Sequence, residues 1–222
     1  MRQIGAMTLS ADLFFSYRSP YSFLAVGRYR ALTQSHNVDI NLRVVWPIAI
    51  RNPDLLFTGN PAAPRYILMD SMRAAQMQGM PFRWPRPDPV VQDLATREIA
   101  KEQPLIRRIC RLGQAASRTG KGLAFADEVS RLIFNGATDD WHEGDHLAKA
   151  ATRAGLDLAA LEAETNSDPD GLDAEIAANQ DVLEQAGHWG VPTLVFENEP
   201  FFGQDRIDMA IWRMEQKGLK TR

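Results

Sequence analysis

Ser19-Pro20-Tyr21-Ser22 has the spacing and the central proline of a thiol-disulfide redox motif of the C-P-x-C kind, but serine stands at both positions where that chemistry needs sulfur. A hydroxyl cannot carry out thiol-disulfide exchange as a thiolate does. Sulfur chemistry at this place therefore needs a borrowed thiol. Ser19 suits such a guest, because a hydroxyl at a helix N-terminus can donate to a bound thiolate while the helix dipole and free amides favour its negative charge. The same residue also reads as an ordinary helix cap, worth ~1 kcal/mol with no chemistry attached.

Two other groupings have chemical potential. His142-Glu143-Gly144-Asp145-His146 fits H-E-x-x-H, in which two imidazoles one helical turn apart bind zinc and the glutamate acts as base. Gly144 and Asp145 are poor residues for the middle of such a helix, and Asp139-Asp140 reads as an N-cap that puts the motif in a solvated first turn. No metal is assigned on this pattern, and a zinc hydrolase is kept only as a remote alternative. Cys110 is the one cysteine, so no internal disulfide is possible, and its helical surroundings read as core. His36 and His188 read as loop or surface histidines.

The elements that must position Ser19 are legible on either side of it. Leu13-Phe14-Phe15 predicts a buried strand, and Pro20 opens a helical pattern through Tyr21, Leu24, Ala25 and Tyr29. Val38 to Trp46 predicts a second strand, ended by Pro47. Late in the chain, Gly190-Val191-Pro192-Thr193 leads into Leu194-Val195-Phe196, a turn at Glu197-Asn198-Glu199, a short run at Phe201-Phe202, and Gly203-Gln204-Asp205-Arg206 as the start of a last helix. Between these ends, Arg51 to Arg65 has a Pro/Gly loop signature. Most of Tyr66 to Thr165 has helical spacing, broken at Pro81 to Pro89. A linking helix from about Gly171 to Ala186 follows the start signal Asp168-Pro169. The expected fold is α/β, a discontinuous thioredoxin-like domain at 1–50 and 168–222 with a large all-helical insertion domain at 51–167.

Composition narrows the partners. A chain of 222 residues with 45% hydrophobic content can bury a sizeable core. A formal net charge of −3 offers no basic footprint for nucleic acid or anionic lipid, which favours a small molecule. No apolar run approaches the ~20 residues that span a bilayer. The first twelve residues lack the pattern of a signal peptide, and with the single cysteine this predicts a cytoplasmic protein.

With both ends in view, the sequence resembles the 2-hydroxychromene-2-carboxylate isomerases and the similar kappa-class glutathione transferases, in the DsbA-like branch of thioredoxin folds. The resemblance rests on Ser19-Pro20-Tyr21-Ser22, Gly59-Asn60-Pro61, Met80-Pro81-Phe82, Trp189-Gly190-Val191-Pro192-Thr193 and Phe202-Gly203-Gln204-Asp205-Arg206. It implies a cis peptide before Pro192 facing the helix that Ser19 caps, and glutathione as cofactor. Ser19 would meet its thiol, Val191 and Pro192 its peptide backbone, and Asp205 its α-amino group, with Asn60 and Arg206 nearby. It further implies a homodimer and a small aromatic substrate that isomerises by thiol addition and elimination. Trp46, Phe57 and Trp84 are the candidate lining of the substrate pocket, each also readable as ordinary packing. Three departures stand out: Ser16 where the family usually has aspartate, Trp46-Pro47 where Arg-Pro is common, and no lysine between Asn60 and Tyr66. The alternatives are a kappa-like glutathione transferase and, in a different class, a redox-silent thioredoxin-like binding module.

Overall fold

The computed structural model describes residues 8–53, 62–93, 96 and 98–222. Its sheet has four strands in the order β2-β1-β3-β4: β1 Leu9–Phe15, β2 Val38–Val44, β3 Thr193–Phe196 and β4 Glu199–Phe202. β1 and β2 are parallel, from Leu9 opposite Val38 to Phe15 opposite Val44, because helix α1, Pro20–Ser35, carries the chain back between them. β3 runs antiparallel to β1 with Phe14 opposite Thr193, and β4 closes a hairpin on β3 through Glu197 and Asn198, both at positive φ. The chain therefore has the expected α/β, thioredoxin-like fold.

Between β2 and β3 the described residues form the helices α2 Ile48–Arg51, α3 Ala63–Met77, α4 Pro104–Arg118, α5 Gly122–Phe134, α6 His146–Arg153, α7 Leu158–Ser167 and α8 Pro169–Gln185. Helix α9, Ile207–Glu215, ends the order. The linking helix begins where Asp168-Pro169 predicts, with the Asp168 carboxylate accepting the Gly171 N–H at 3.1 Å. The short α2 after Pro47 has no counterpart in the sequence reading. The H-E-x-x-H residues are placed differently from expectation. Helix α6 starts only at His146, Gly144 is at φ +55°, and His142 lies in the preceding turn, so the two imidazoles do not share a helical face.

Period-two alternation in β1 sends Leu9, Ala11, Leu13 and Phe15 into the main core, which continues without a break into α1, α4 and α5 through Phe23, Ile109, Leu112 and Phe125. Phe14 points to the other face and packs with Val45 and Leu183, against which Val191 and Val195 rest. Close packing at the start of α1 depends on one glycine: a Cβ on Gly113 of α4 would fall 2.2 Å from the Tyr17 hydroxyl oxygen. Asp127 of α5 ties α1 to the helical layer. Its side chain is 4% exposed, and it accepts from Arg30 of α1 at 2.8 Å and from two nitrogens of Arg131 at 2.8 and 3.1 Å.

Candidate active site

The site lies where β1 ends and α1 begins. Ser19 is the N-cap of α1, in extended geometry, with Pro20 fixed in the first turn where its missing N–H costs nothing. Its Oγ accepts the Ser22 N–H at 3.2 Å and donates to the Val191 carbonyl at 3.4 Å. The second contact is long and therefore weak, so the hydroxyl proton is readily redirected to a better acceptor. Ser22, at the other sulfur position, is fully buried, and its Oγ has no partner among the described residues. It packs as a small side chain and caps nothing. Ser16 is likewise buried, with a hydroxyl that has no partner among the described residues.

The Val191-Pro192 peptide is cis, as the resemblance implies, and stands against Ser19. Its loop is held from both sides: Pro192 accepts the Gly203 N–H at 2.9 Å, and the buried Thr193 hydroxyl donates to Gly190 at 2.7 Å. Among the described residues the Val191 N–H has no partner, and its carbonyl has only the long Ser19 contact. That edge can take an extended peptide as an added strand would.

Asp205 and Arg206 follow Gly203 at the start of α9. They are exposed and paired with each other at 2.7 Å. Tyr21, two residues past Ser19, donates to Asp70 of α3 at 2.8 Å, and Tyr66 donates to the other oxygen of the same carboxylate at 3.3 Å. Burial, then Asp70, then more weakly Asp205, push the Tyr21 phenol up, so it stays a neutral donor. Tyr21 is thus bonded to Asp70, and the charge of Asp205 is felt at it through space.

The three aromatic candidates fare differently. Trp46 follows β2 at the same end of the sheet, half-buried, with the Arg107 guanidinium 5.5 Å from its ring centre. Trp84 is joined to the site through the residue before Ser19: Arg18 sits 5.7 Å from its ring centre and is clamped by Asp88 through two 2.8 Å bonds, while the Trp84 N–H donates to Asp88 at 3.1 Å. Phe57 and Asn60 lie outside the described residues.

Sequence reading missed a second aromatic group, on the β4 side of Val191. His188 is stacked on Phe202 at 4.0 Å and 21°, and Trp189 stacks on His188 at 5.5 Å and 16°. Trp189 and Phe202 are 49% and 40% exposed. His188 is therefore no simple surface histidine. Burial first, and then the charge of Arg51, hold its imidazole below the ordinary histidine range, and its Nδ1 accepts the Gly190 N–H at 2.8 Å. Gly190 is required by this stack, since a Cβ there would lie 2.5 Å from the Phe202 ring. Arg51, the last residue of α2, donates to the Trp189 carbonyl. The available signal was Trp189 immediately before Gly-Val-Pro-Thr. Nothing in the sequence announces Arg51, which is 138 residues away from its partner.

Cys110 takes no part. It is fully buried in α4, and burial, with a smaller push from Asp173, raises its thiol far above the ordinary range. The native protein is expected to leave a thiol reagent such as 5,5′-dithiobis(2-nitrobenzoate) unreacted and to show no insulin reduction. Prompt stoichiometric labelling without denaturant, or disulfide turnover that disappears in Cys110→Ala, contradicts this.

The residues from 11 to 211 match the model of the DSBA-like thioredoxin domain. Comparison with curated proteins gives no significant match. Among solved structures, a 2-hydroxychromene-2-carboxylate isomerase superposes with a TM-score of 0.67 at 19% identity, over 94% of this chain and 95% of that one. A probable DsbA oxidoreductase from Streptomyces coelicolor gives 0.61 at 17% identity, covering 94% and 89%. The cytosolic disulfide reductase DsbM from Pseudomonas aeruginosa, in its structure with GSH, gives 0.57 at 16% identity, covering 94% and 100%. At such identities these likenesses speak to the fold. With a strand-helix entry capped by Ser19, a cis Val191-Pro192 facing it, and a domain model matched over most of its length, the chain belongs to the DsbA-like thioredoxin family.

Proposed function

We propose that this protein is a glutathione-dependent isomerase acting on 2-hydroxychromene-2-carboxylate or a related aromatic conjugated pyruvate. One observation carries the reading: the Ser19 hydroxyl, at the N-terminus of a 16-residue helix, sits against the open edge of Val191. Those residues fit the cofactor. The Val191 N–H, unpaired among the described residues, and its lightly engaged carbonyl suit the cysteinyl backbone of an extended tripeptide, and the exposed Asp205, whose charge is felt at Tyr21, suits its ammonium end. When bound, glutathione supplies a thiolate that adds reversibly to a conjugated carbon and leaves again. Ser19 would turn its proton from Val191 toward the sulfur, and the first-turn amides of α1 would add their partial positive charge, together lowering the thiol pKa. Neither Ser19 nor Ser22 can form a disulfide, so this chain is unable to draw the thiol into redox exchange. The fold likeness to a 2-hydroxychromene-2-carboxylate isomerase and to a disulfide reductase with GSH supports the same reading.

A sulfur that adds and later leaves acts catalytically. Turnover of a hydroxychromene carboxylate is therefore expected to require glutathione and to leave its concentration unchanged, when free thiol and substrate isomers are followed together by chromatography. Thiol loss in proportion to substrate points instead to a transferase. Isomerisation at full rate without thiol removes glutathione from the reaction, and absence of glutathione binding by calorimetry leaves a binding module.

A further inference from the structure

Arg51 is a cation with no ion-pair partner among the described residues. It is partly buried, and burial lowers its pKa. The only polar contact of its side chain among the described residues is the neutral Trp189 carbonyl, and its Nε is buried without a partner there. Glu184 is felt through space but lies beyond ion-pair reach. A guanidinium in this position is costly unless an anion joins it. Next to it stand the stacked rings of His188, Trp189 and Phe202, two of them substantially exposed, on the residues that lead directly into Val191. The positive charge and the open ring faces are adjacent: Arg51 binds the backbone of Trp189 and its charge is felt at His188.

The geometry points to Arg51 and the His188-Trp189-Phe202 ledge as one subsite for a planar aromatic carboxylate, the rings stacking on its π-face and Arg51 taking its carboxylate. This assignment deepens the function proposed above and rests on it for the identification of the bound molecule as substrate. Neither part suffices alone. An aromatic ledge without a cation favours any flat apolar molecule, and a cation without a ledge favours any anion. Their junction beside Val191 selects a ligand that is both, and it supplies the positive charge that the absent lysine and the Trp46 substitution remove elsewhere. Trp46 and Trp84 are already engaged by Arg107 and by the Arg18-Asp88 pair, whereas Trp189, stacked on His188, is still 49% exposed.

The test is direct binding of trans-cinnamate, of its neutral amide trans-cinnamide, and of S-methylglutathione, each titrated separately by calorimetry into the wild-type protein and into Arg51→Met, Trp189→Ala and Trp189→Phe. Cinnamate is expected to bind more tightly than cinnamide. Arg51→Met should weaken cinnamate by about tenfold or more, the worth of one charge-assisted pair, and leave cinnamide unchanged. Trp189→Ala should weaken both, and Trp189→Phe should restore most of the loss. S-methylglutathione should bind all four proteins alike. Equal cinnamate affinity in Arg51→Met, or no cinnamate binding to the wild type, overturns the assignment. Weakening of S-methylglutathione alone in Arg51→Met also overturns it and gives the cation to the carboxylate of the thiol. Because cinnamate is titrated without thiol, a protein that binds it in this pattern but not S-methylglutathione retains the subsite and loses the glutathione reading. Circular dichroism melting of each variant separates loss of binding from loss of fold.

Discussion

Ser19→Ala is expected to slow glutathione-dependent turnover by ~10²-fold or more while leaving most of the glutathione affinity in place. The magnitude is that of removing one preorganised donor from a developing or resident negative charge. The affinity survives because the Val191 edge that would hold the peptide backbone is untouched by the substitution, which removes only the 3.4 Å contact to its carbonyl. The thiol of bound glutathione should titrate at higher pH in the variant, so its deficit should be largest at the acid end of a rate profile and shrink as pH rises. A profile over roughly pH 6 to 9 brackets the ordinary thiol pKa and makes that slope visible. Loss of the cap bond from Ser22 should also cost ~1 kcal/mol of stability, readable as a lower denaturant midpoint. Ser19→Thr keeps both hydroxyl roles and should recover most of the rate. A Ser19→Ala enzyme with wild-type rate throughout that window would reduce Ser19 to a helix cap.

Asp127→Ala is expected to destabilise the fold by about 1.5–3 kcal/mol, because it removes a buried acceptor of charge-assisted hydrogen bonds from the partly buried Arg30, while the exposed Arg131 can turn to water. Arg30, in the middle of α1, would lose its 2.8 Å partner and keep only Glu128 at 2.9 Å, and Arg131 would lose both of its bonds. Chemical denaturation measures the loss. A decrease below about 1 kcal/mol would show that water resolvates Arg30 as well. Replacing Asp127 and Arg30 together by apolar residues of similar volume should recover much of the deficit, since the larger cost lies in the unpaired charge and not in the missing attraction. The consequence for function is indirect: Asp127 anchors the helix whose first turn would hold the thiolate, so the double variant should regain thermal stability before it regains a precise Ser19-Val191 contact.

The sequence by itself determined the elements and the chemical exclusions. The apolar run Leu13-Phe14-Phe15 gives a buried strand, which the fold extends back to Leu9, and Ser19-Pro20 gives a helix start because proline has no N–H to lose there. Serine at both sulfur positions excluded self-contained disulfide chemistry before any contact was known. Asp168-Pro169 marked the start of α8 for the same local reason. These are properties of a residue and its near neighbours, and the chain order carries them without help.

Whatever depended on distant residues meeting, only the tertiary structure decided. The Ser19 hydroxyl meets the Val191 carbonyl across 172 residues, and the match depends on β3 pairing with β1 at the register that sets Phe14 against Thr193. His188 reads as a surface residue along the chain. It is half-buried because the β3-β4 hairpin folds Phe202 onto it, with Gly190 leaving the room. Arg51 sits in a proline-punctuated stretch that resembles loop, and its proposed role rests on its having no carboxylate within ion-pair reach among the described residues, which no local pattern encodes. The H-E-x-x-H residues show the reverse: a pattern with the right spacing, undone because the helix begins at its last residue. Spacing in sequence measures a helix or strand well, since hydrogen bonds there close over a few residues, but the pairing of a cation, an aromatic ledge and a peptide edge is set by how the sheet and its covering helices pack.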